Sequence, residues 1–268
     1  MVKKIIAFIL ILALLGGAFY ASYTLSLRYW DKIAPYIDGA EVSDATPTQA
    51  LPVLATPTEA VTAETTTEPV TAPISLTVTT VDMPEDDAWQ LILLDRTHKI
   101  SDAYVPELTA AIEGSDIRLD SRVAKAFQEM YDAAKAEGVD LTPVSGYVST
   151  EIQTSLFDQK VEELIAQGET RENAMAIASQ RILPGGCSED NVGISVSVGM
   201  QVESFSQSAA YRWLQANAAK YGFIERYTAE KKAFTQVNAR PWYWRYVGAD
   251  NAKLMTESGL CLEEYLQR

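Results

Sequence analysis

Cys187, Glu189 and Asp190 fall within one short loop, Pro184-Gly185-Gly186-Cys187-Ser188-Glu189-Asp190-Asn191-Val192-Gly193. A thiol and carboxylates so spaced are candidate ligands for a soft metal. No histidine accompanies them, because the only one in the chain, His98, lies far away in sequence. Hydrolysis on zinc takes three protein ligands, usually His and carboxylate, plus an open position for water, and this loop falls short of that count. A nucleophilic Cys187 meets the same difficulty, since no histidine stands near it as a base. A second string, Arg240-Pro241-Trp242-Tyr243-Trp244-Arg245-Tyr246-Val247-Gly248, brings two permanent cations among aromatic residues.

The surrounding elements must position these groups. Val192, Ile194, Val196 and Val198 alternate with Asn191, Gly193, Ser195 and Ser197, a period of two that predicts a strand over 191–198 with its Ser and Gly side facing a groove. Trp242 to Val247 predicts a last strand, Leu141 to Tyr147 a short one, and Trp89 to Asp95 a buried one. Leu119, Val123, Phe127, Met130, Tyr131 and Ala134 recur at helical spacing, with Gly138 placed to end the run. Helices are also expected over 151–166 and 169–182, separated by Gly168, then around Ala210 to Tyr221, with a short one at the C-terminus. Gly222-Phe223-Ile224 restarts extended structure. Helices and strands mixed without βαβ repetition predict an α+β architecture.

Composition divides the 268 residues into three parts. Lys3 and Lys4 precede an apolar run from Ile5, low in charge as far as Leu27, long enough to cross a hydrocarbon core about 30 Å thick. Residues 1–30 are expected to be a membrane anchor or, with Gly16-Gly17-Ala18 as a processing site, a cleaved signal peptide. The flanking charges then place the amino terminus in the cytosol and the remainder outside, making a single-pass protein of the cell membrane with an extracytoplasmic C-terminal domain. Residues 31–88 are rich in Thr, Pro, Ala and Glu and predict an extended stalk without a core; residues 89–268 are the folded domain. The net charge of -14 argues against nucleic acid and anionic lipid as partners. Cys187 and Cys261, the two cysteines, allow one disulfide or two unpaired thiols.

Several strings resemble the VanY-type D-alanyl-D-alanine carboxypeptidases, of the peptidase M15-like group: Leu93-Leu94-Asp95-Arg96-Thr97-His98, Ser145-Gly146-Tyr147, Ser188-Glu189, Trp213-Leu214-Gln215-Ala216-Asn217-Ala218, Tyr221-Gly222-Phe223-Ile224, and Trp242 with Arg245-Tyr246-Val247-Gly248. The resemblance covers about Trp89 to Gly248. It implies a D,D-carboxypeptidase and Hedgehog-like fold, a small, mainly antiparallel sheet flanked by helices, and a zinc enzyme that trims peptidoglycan stem peptides. The family places an arginine after Ser-Gly-Tyr, where this chain has Val148. Its metal loop, Ser-x-His-x-x-Gly-x-x-x-Asp, registers Asp190 at the histidine and Ser197 at the aspartate. Its Glu-x-x-His motif registers Arg240 at the base and Tyr243 at the third ligand.

On that register no catalytic residue, metal ligand or zinc cofactor is expected. The expectation is a membrane-anchored pseudoenzyme that binds peptidoglycan stem peptide or another envelope ligand. Ser145, Tyr147, Gln153, Ser188, Arg240, Trp242 and Arg245 are its candidate substrate contacts. Trp242, Tyr246, Trp213 and Tyr221 also read as core, and His98 as a turn residue. Two alternatives remain: an active metallo-D,D-carboxypeptidase with unusual ligands, and an envelope scaffold or adaptor.

Overall fold

Two adjacent strands, β6 (Ser195–Val198) and β8 (Tyr243–Tyr246), form the centre of a four-stranded antiparallel sheet completed by β5 (Pro143–Ser145) and β7 (Phe223–Glu225), in the order β5-β6-β8-β7. The computed structural model describes residues 77–268. The expected anchor and most of the expected stalk lie outside the described residues. Among the described residues no helix is long and apolar enough to cross a membrane.

Two small sheets precede the main one: β1 (Thr79–Val81) pairs in parallel with β2 (His98–Ile100), and β3 (Leu108–Ala110) pairs antiparallel with β4 (Arg118–Asp120). Asp120 caps α1 (Ser121–Ala136), its Oδ1 accepting from the Arg122 backbone N–H at 2.9 Å, which satisfies a donor the helix start leaves free. The helical spacing seen in sequence does its expected work, since Val123, Phe127, Met130 and Ala134 are fully buried. Phe127 meets Phe223 edge to face at 6.0 Å, joining α1 to the sheet. Gly138 follows the helix at φ 75°, the left-handed turn its position predicted.

A helical pair, α2 (Thr150–Ala166) and α3 (Arg171–Ala178), packs on its own small core of Phe157, Val161, Leu164, Ala174 and Ala178. Ser149 and Thr170 cap the two starts, so α3 is shorter than the run expected over 169–182. α4 (Ala209–Asn217), the short α5 (Lys232–Thr235), α6 (Ala249–Ser258) and α7 (Leu262–Tyr265) complete the chain. The C-terminus thus holds two helices where one was expected, separated at Gly259 with φ 64°.

Two predicted strands are corrected. Residues Asp87–Leu91 form a 3-10 helix capped by Asp86, and Trp89 packs flat on Tyr246 with ring centroids 5.7 Å apart under the Arg122 guanidinium. An acidic cap and one anchoring aromatic ring outweigh the extended preference of the following Leu and Ile. The strand predicted over 191–198 begins only at Ser195, because Glu189–Val192 close a 3-10 turn that ends on Gly193 at φ 72°. A Cβ at Gly193 would lie 2.7 Å from the Asp120 backbone nitrogen, so the turn needs glycine for space as well as for conformation. Nor does a serine side face open solvent: all four residues of β6 are buried.

Candidate functional site: a hydroxyl-carboxylate cluster at the centre of the sheet

The turn between α3 and β6 is built by Asn191, which the sequence reading passed over. Its Oδ1 accepts from the backbone N–H of Gly186 (2.9 Å) and Ser188 (3.2 Å), while its Nδ2 donates to the Val148 carbonyl at 2.8 Å. The Val148 N–H in turn donates to the Asp190 carbonyl at 3.1 Å. The loop 185–193 and the segment after β5 are therefore clamped together, fixing the direction of the Asp190 side chain. An Asn three residues after a Ser and two before a glycine was the available sequence clue.

Asp190 reaches the middle of the sheet. Its Oδ1 accepts from Ser195 Oγ at 2.5 Å and from the Tyr243 hydroxyl at 2.9 Å, and that hydroxyl also lies 2.9 Å from Ser195 Oγ. Cross-strand pairing explains the convergence. Ser197 sits opposite Tyr243, and Ser195 opposite Arg245, so these side chains share one face of β6 and β8. Burial pushes the Asp190 carboxyl up to about 6, against the pull of Ser195, Tyr243 and Arg240. Burial, then the Asp190 charge, holds the Tyr243 phenol well above its ordinary range, so it keeps its proton and donates.

Arg240 stands at the rim, half-buried. Its Cζ lies 5.2 Å from the Tyr227 ring and 5.7 Å from the Tyr243 ring, and its Nη2 donates to the Arg181 carbonyl. Ser145, Tyr147, Val148 and Trp242 are also half-buried. The structure thus joins Asp190 and Tyr243 in one cluster with Ser195, which was not among the expected site residues, and sets Ser197 across the strands from Tyr243 without a side-chain hydrogen bond to the cluster. Arg240 stands beside it, and Val148 is tied to the Asp190 backbone.

Three expected groove contacts turn inward instead. Arg245 is fully buried, donating from Nε to the Tyr246 carbonyl at 2.7 Å and from Nη2 to the carbonyls of Gln90 (2.9 Å) and Ile92 (3.1 Å). Gln153 is buried and donates to the Leu183 carbonyl at 2.6 Å. Ser188 is buried, and its hydroxyl caps the turn by accepting from the Asp190 N–H at 3.3 Å. Each supplies bonds that the buried backbone needs. His98 rests in its turn against Asp95, with Nδ1 and Oδ1 3.0 Å apart. Trp213 stacks with Tyr221 in the core, while Tyr246 packs between Trp89 and Phe223.

Behind the cluster lies a buried ion network that the sequence did not reveal. Arg226 Nε meets Glu189 Oε1 at 2.6 Å, and its two terminal nitrogens grip Glu263 at 2.9 and 2.7 Å. Burial works against the guanidinium charge, but the carboxylates of Glu189 and Glu263 outweigh it and hold the pKa well above its ordinary value. Glu189 Oε2 and Arg245 Nη1 have no hydrogen-bond partner among the described residues. Cys187 and Cys261 are both buried and unpaired, and burial raises both thiols to about 11, which leaves neither a nucleophile at neutral pH.

Comparison with known proteins places this site in a family. A D-alanyl-D-alanine carboxypeptidase of Enterococcus faecalis is 37% identical over 188 residues, spanning 70% of this chain and 69% of that protein. The solved structure of VanYB in complex with D-alanine-D-alanine matches with a TM-score of 0.59 at 38% identity, over 67% of this chain and 98% of that one. The LD-carboxypeptidase LdcB, whose structure addresses peptidoglycan recognition, matches with a TM-score of 0.60 at 29% identity, over 71% of this chain and 90% of the other. The family model for VanY, D-alanyl-D-alanine carboxypeptidase, covers residues 116–249, from β4 through β8 and hence the whole of the Asp190 cluster. The chain belongs to the VanY D-alanyl-D-alanine carboxypeptidase family.

Proposed function

We propose that this chain is a non-hydrolytic member of its family, holding peptidoglycan stem peptides in the family's cleft rather than cutting them. The observation that carries the reading is the mutual hydrogen bonding of Asp190, Ser195 and Tyr243. Zinc requires deprotonated carboxylate or thiolate ligands or neutral imidazole. At the positions aligned with the family's ligands stand one carboxylate, a serine hydroxyl and a phenol that burial keeps protonated. The one anionic oxygen shown in contact already accepts two hydroxyl hydrogens. This donor set does not fit zinc. Arg240, at the position aligned with the family's base, is a permanent cation and cannot take a proton from water.

The same exchange suits the cleft to a peptide terminus. Arg240 spends one nitrogen on the Arg181 carbonyl, and its remaining donors present a planar fork to a carboxylate at the rim. The half-buried Ser145, Tyr147 and Trp242 would supply polar and aromatic edges to the same peptide. The apolar run beginning at Ile5 and the Thr/Pro-rich segment after it would carry the domain outside the membrane at wall distance. D-Alanine-D-alanine bound to VanYB makes stem peptides with that terminus the first ligands to try.

Calorimetric titration of the full chain with a stem pentapeptide tests this reading. It should give saturable binding, weakened about tenfold or more by Arg240→Gln, the loss of one charge-assisted hydrogen-bond pair. A flat response to millimolar peptide would end the proposal. The names of the relatives favour an active carboxypeptidase, and D-alanine release by metal-loaded wild-type protein would place the chain with them.

A further inference from the structure

A second groove, of about 430 Å³, opens between the end of α3 and the short helix α5, lined by Arg96, Gln180, Lys232, Ala233 and Gln236. Two cations line it, and among the described residues neither forms an ion pair with a carboxylate. Arg96 and Lys232 bring two positive charges to one groove with no carboxylate among the residues that line it. Arg96 touches only Ser179 Oγ, at 3.5 Å, which leaves most of its fork free.

The walls are fixed. The Asn238 N–H donates to the Gln180 carbonyl at 2.9 Å, holding the segment after α5 to the end of α3. Gln236 has φ 56°, the only positive value at a non-glycine residue among those described, and its N–H donates to the Lys232 carbonyl at 2.8 Å. Such a conformation has an energetic cost for a residue with a Cβ and collects at functional sites. Here it closes α5 beside the two cations and places an amide at the groove.

We propose that this groove binds a phosphate group, as a phosphate ester on a small alcohol or sugar. A phosphate monoester carries close to two negative charges at neutral pH and three acceptor oxygens, matching two unpaired cations and the amide donors of Gln180 and Gln236. A carboxylate would neutralise only one of the cations. The volume admits the phosphate with a three- to six-carbon group attached. The groove shares no lining residue with the Asp190 cluster and does not rest on the reading of that cluster.

The test is calorimetric titration of the full chain with glycerol 3-phosphate and inorganic phosphate, with acetate for comparison and Lys253→Gln, on α6, as the control for losing a surface cation. Saturable binding of both phosphates is expected, tighter than acetate, falling with added salt and about tenfold weaker in Arg96→Gln and in Lys232→Gln. Lys232 is exposed, so its replacement leaves the fold intact even if Arg96→Gln perturbs it. Binding of glycerol 3-phosphate but not inorganic phosphate would place the affinity in the alcohol and overturn the proposal. So would a flat isotherm at about 10 mM phosphate, equal affinity for acetate, or an equal loss in Lys253→Gln.

Discussion

Glu189 and Asp190 are consecutive, yet they end in opposite polar environments. Glu189 points into the interior and meets Arg226 at 2.6 Å, within a network that also takes in Glu263. Asp190 points to the sheet face and meets two hydroxyls, with its nearest cation, Arg240, held at the rim. The first is paired with a buried guanidinium, and the second is raised to about 6 because burial outweighs the hydrogen bonds from Ser195 and Tyr243 and the charge of Arg240. The difference separates scaffold from site. Breaking the first should cost stability, and altering the second should change what the cleft can hold.

The largest expected effect comes from rebuilding the Asp190 side of this comparison. Asp190→His, Ser197→Asp and Tyr243→His together supply three zinc-competent donors, the latter two cross-strand partners and the first now in hydrogen-bond contact with Tyr243, and elemental analysis should find one zinc per chain. Adding Arg240→Glu and Val148→Arg should bring D-alanine release from a stem pentapeptide. Failure of the triple variant to take up zinc would mean that the strand geometry, and not the side-chain types, excludes metal.

Next in size is the Glu189 side. Arg226→Met leaves Glu263 buried without its cation and Glu189 with only Arg245, 3.7 Å away, and chemical denaturation should show a loss of about 3–5 kcal/mol. A loss below about 1 kcal/mol would show that water reaches these carboxylates.

The pH dependence of stability offers a smaller and more specific effect. The Asp190 carboxyl, near its ordinary value of about 4 when unfolded, is raised to about 6 in the fold. The folded state therefore binds the extra proton between those values, and stability falls as pH rises across that window, by roughly 3 kcal/mol from this group. Glu225, raised to about 7 by burial despite hydrogen bonds from Tyr211 and Gln215, adds a slope of the same sign. Asp190→Asn should remove only the Asp190 share, seen as a flatter denaturation profile between about pH 4 and 6. An unchanged profile would show that Asp190 is solvated. The smallest effect is expected at His98, whose partly exposed contact with Asp95 should contribute under about 1 kcal/mol, so that His98→Gln barely shifts the melting temperature.

Much of this was legible before the structure. The helix over Ser121–Ala136 and the strand over Tyr243–Tyr246 follow from periodicity, and the motif register named Asp190 and Tyr243, which meet in one hydrogen bond, but not Ser195, which completes their cluster. What escaped was set by distant contacts. Nothing local to Arg226 announces Glu263, because their meeting depends on how the chain after β8 returns. Arg245 read as a substrate contact because a lone arginine in an aromatic strand gives no sign that the carbonyls of Gln90 and Ile92 await it. Trp89 to Asp95 read as a strand because a short apolar run fits a strand or a buried turn equally well, and the Asp86 cap decided between them.

Metal content tests the central claim most directly. Full-length protein expressed with zinc and purified without chelator should carry far less than one zinc per chain and release no D-alanine from a stem pentapeptide. One bound zinc per chain, lost together with D-alanine release when Asp190 or Tyr243 is replaced, would contradict the account.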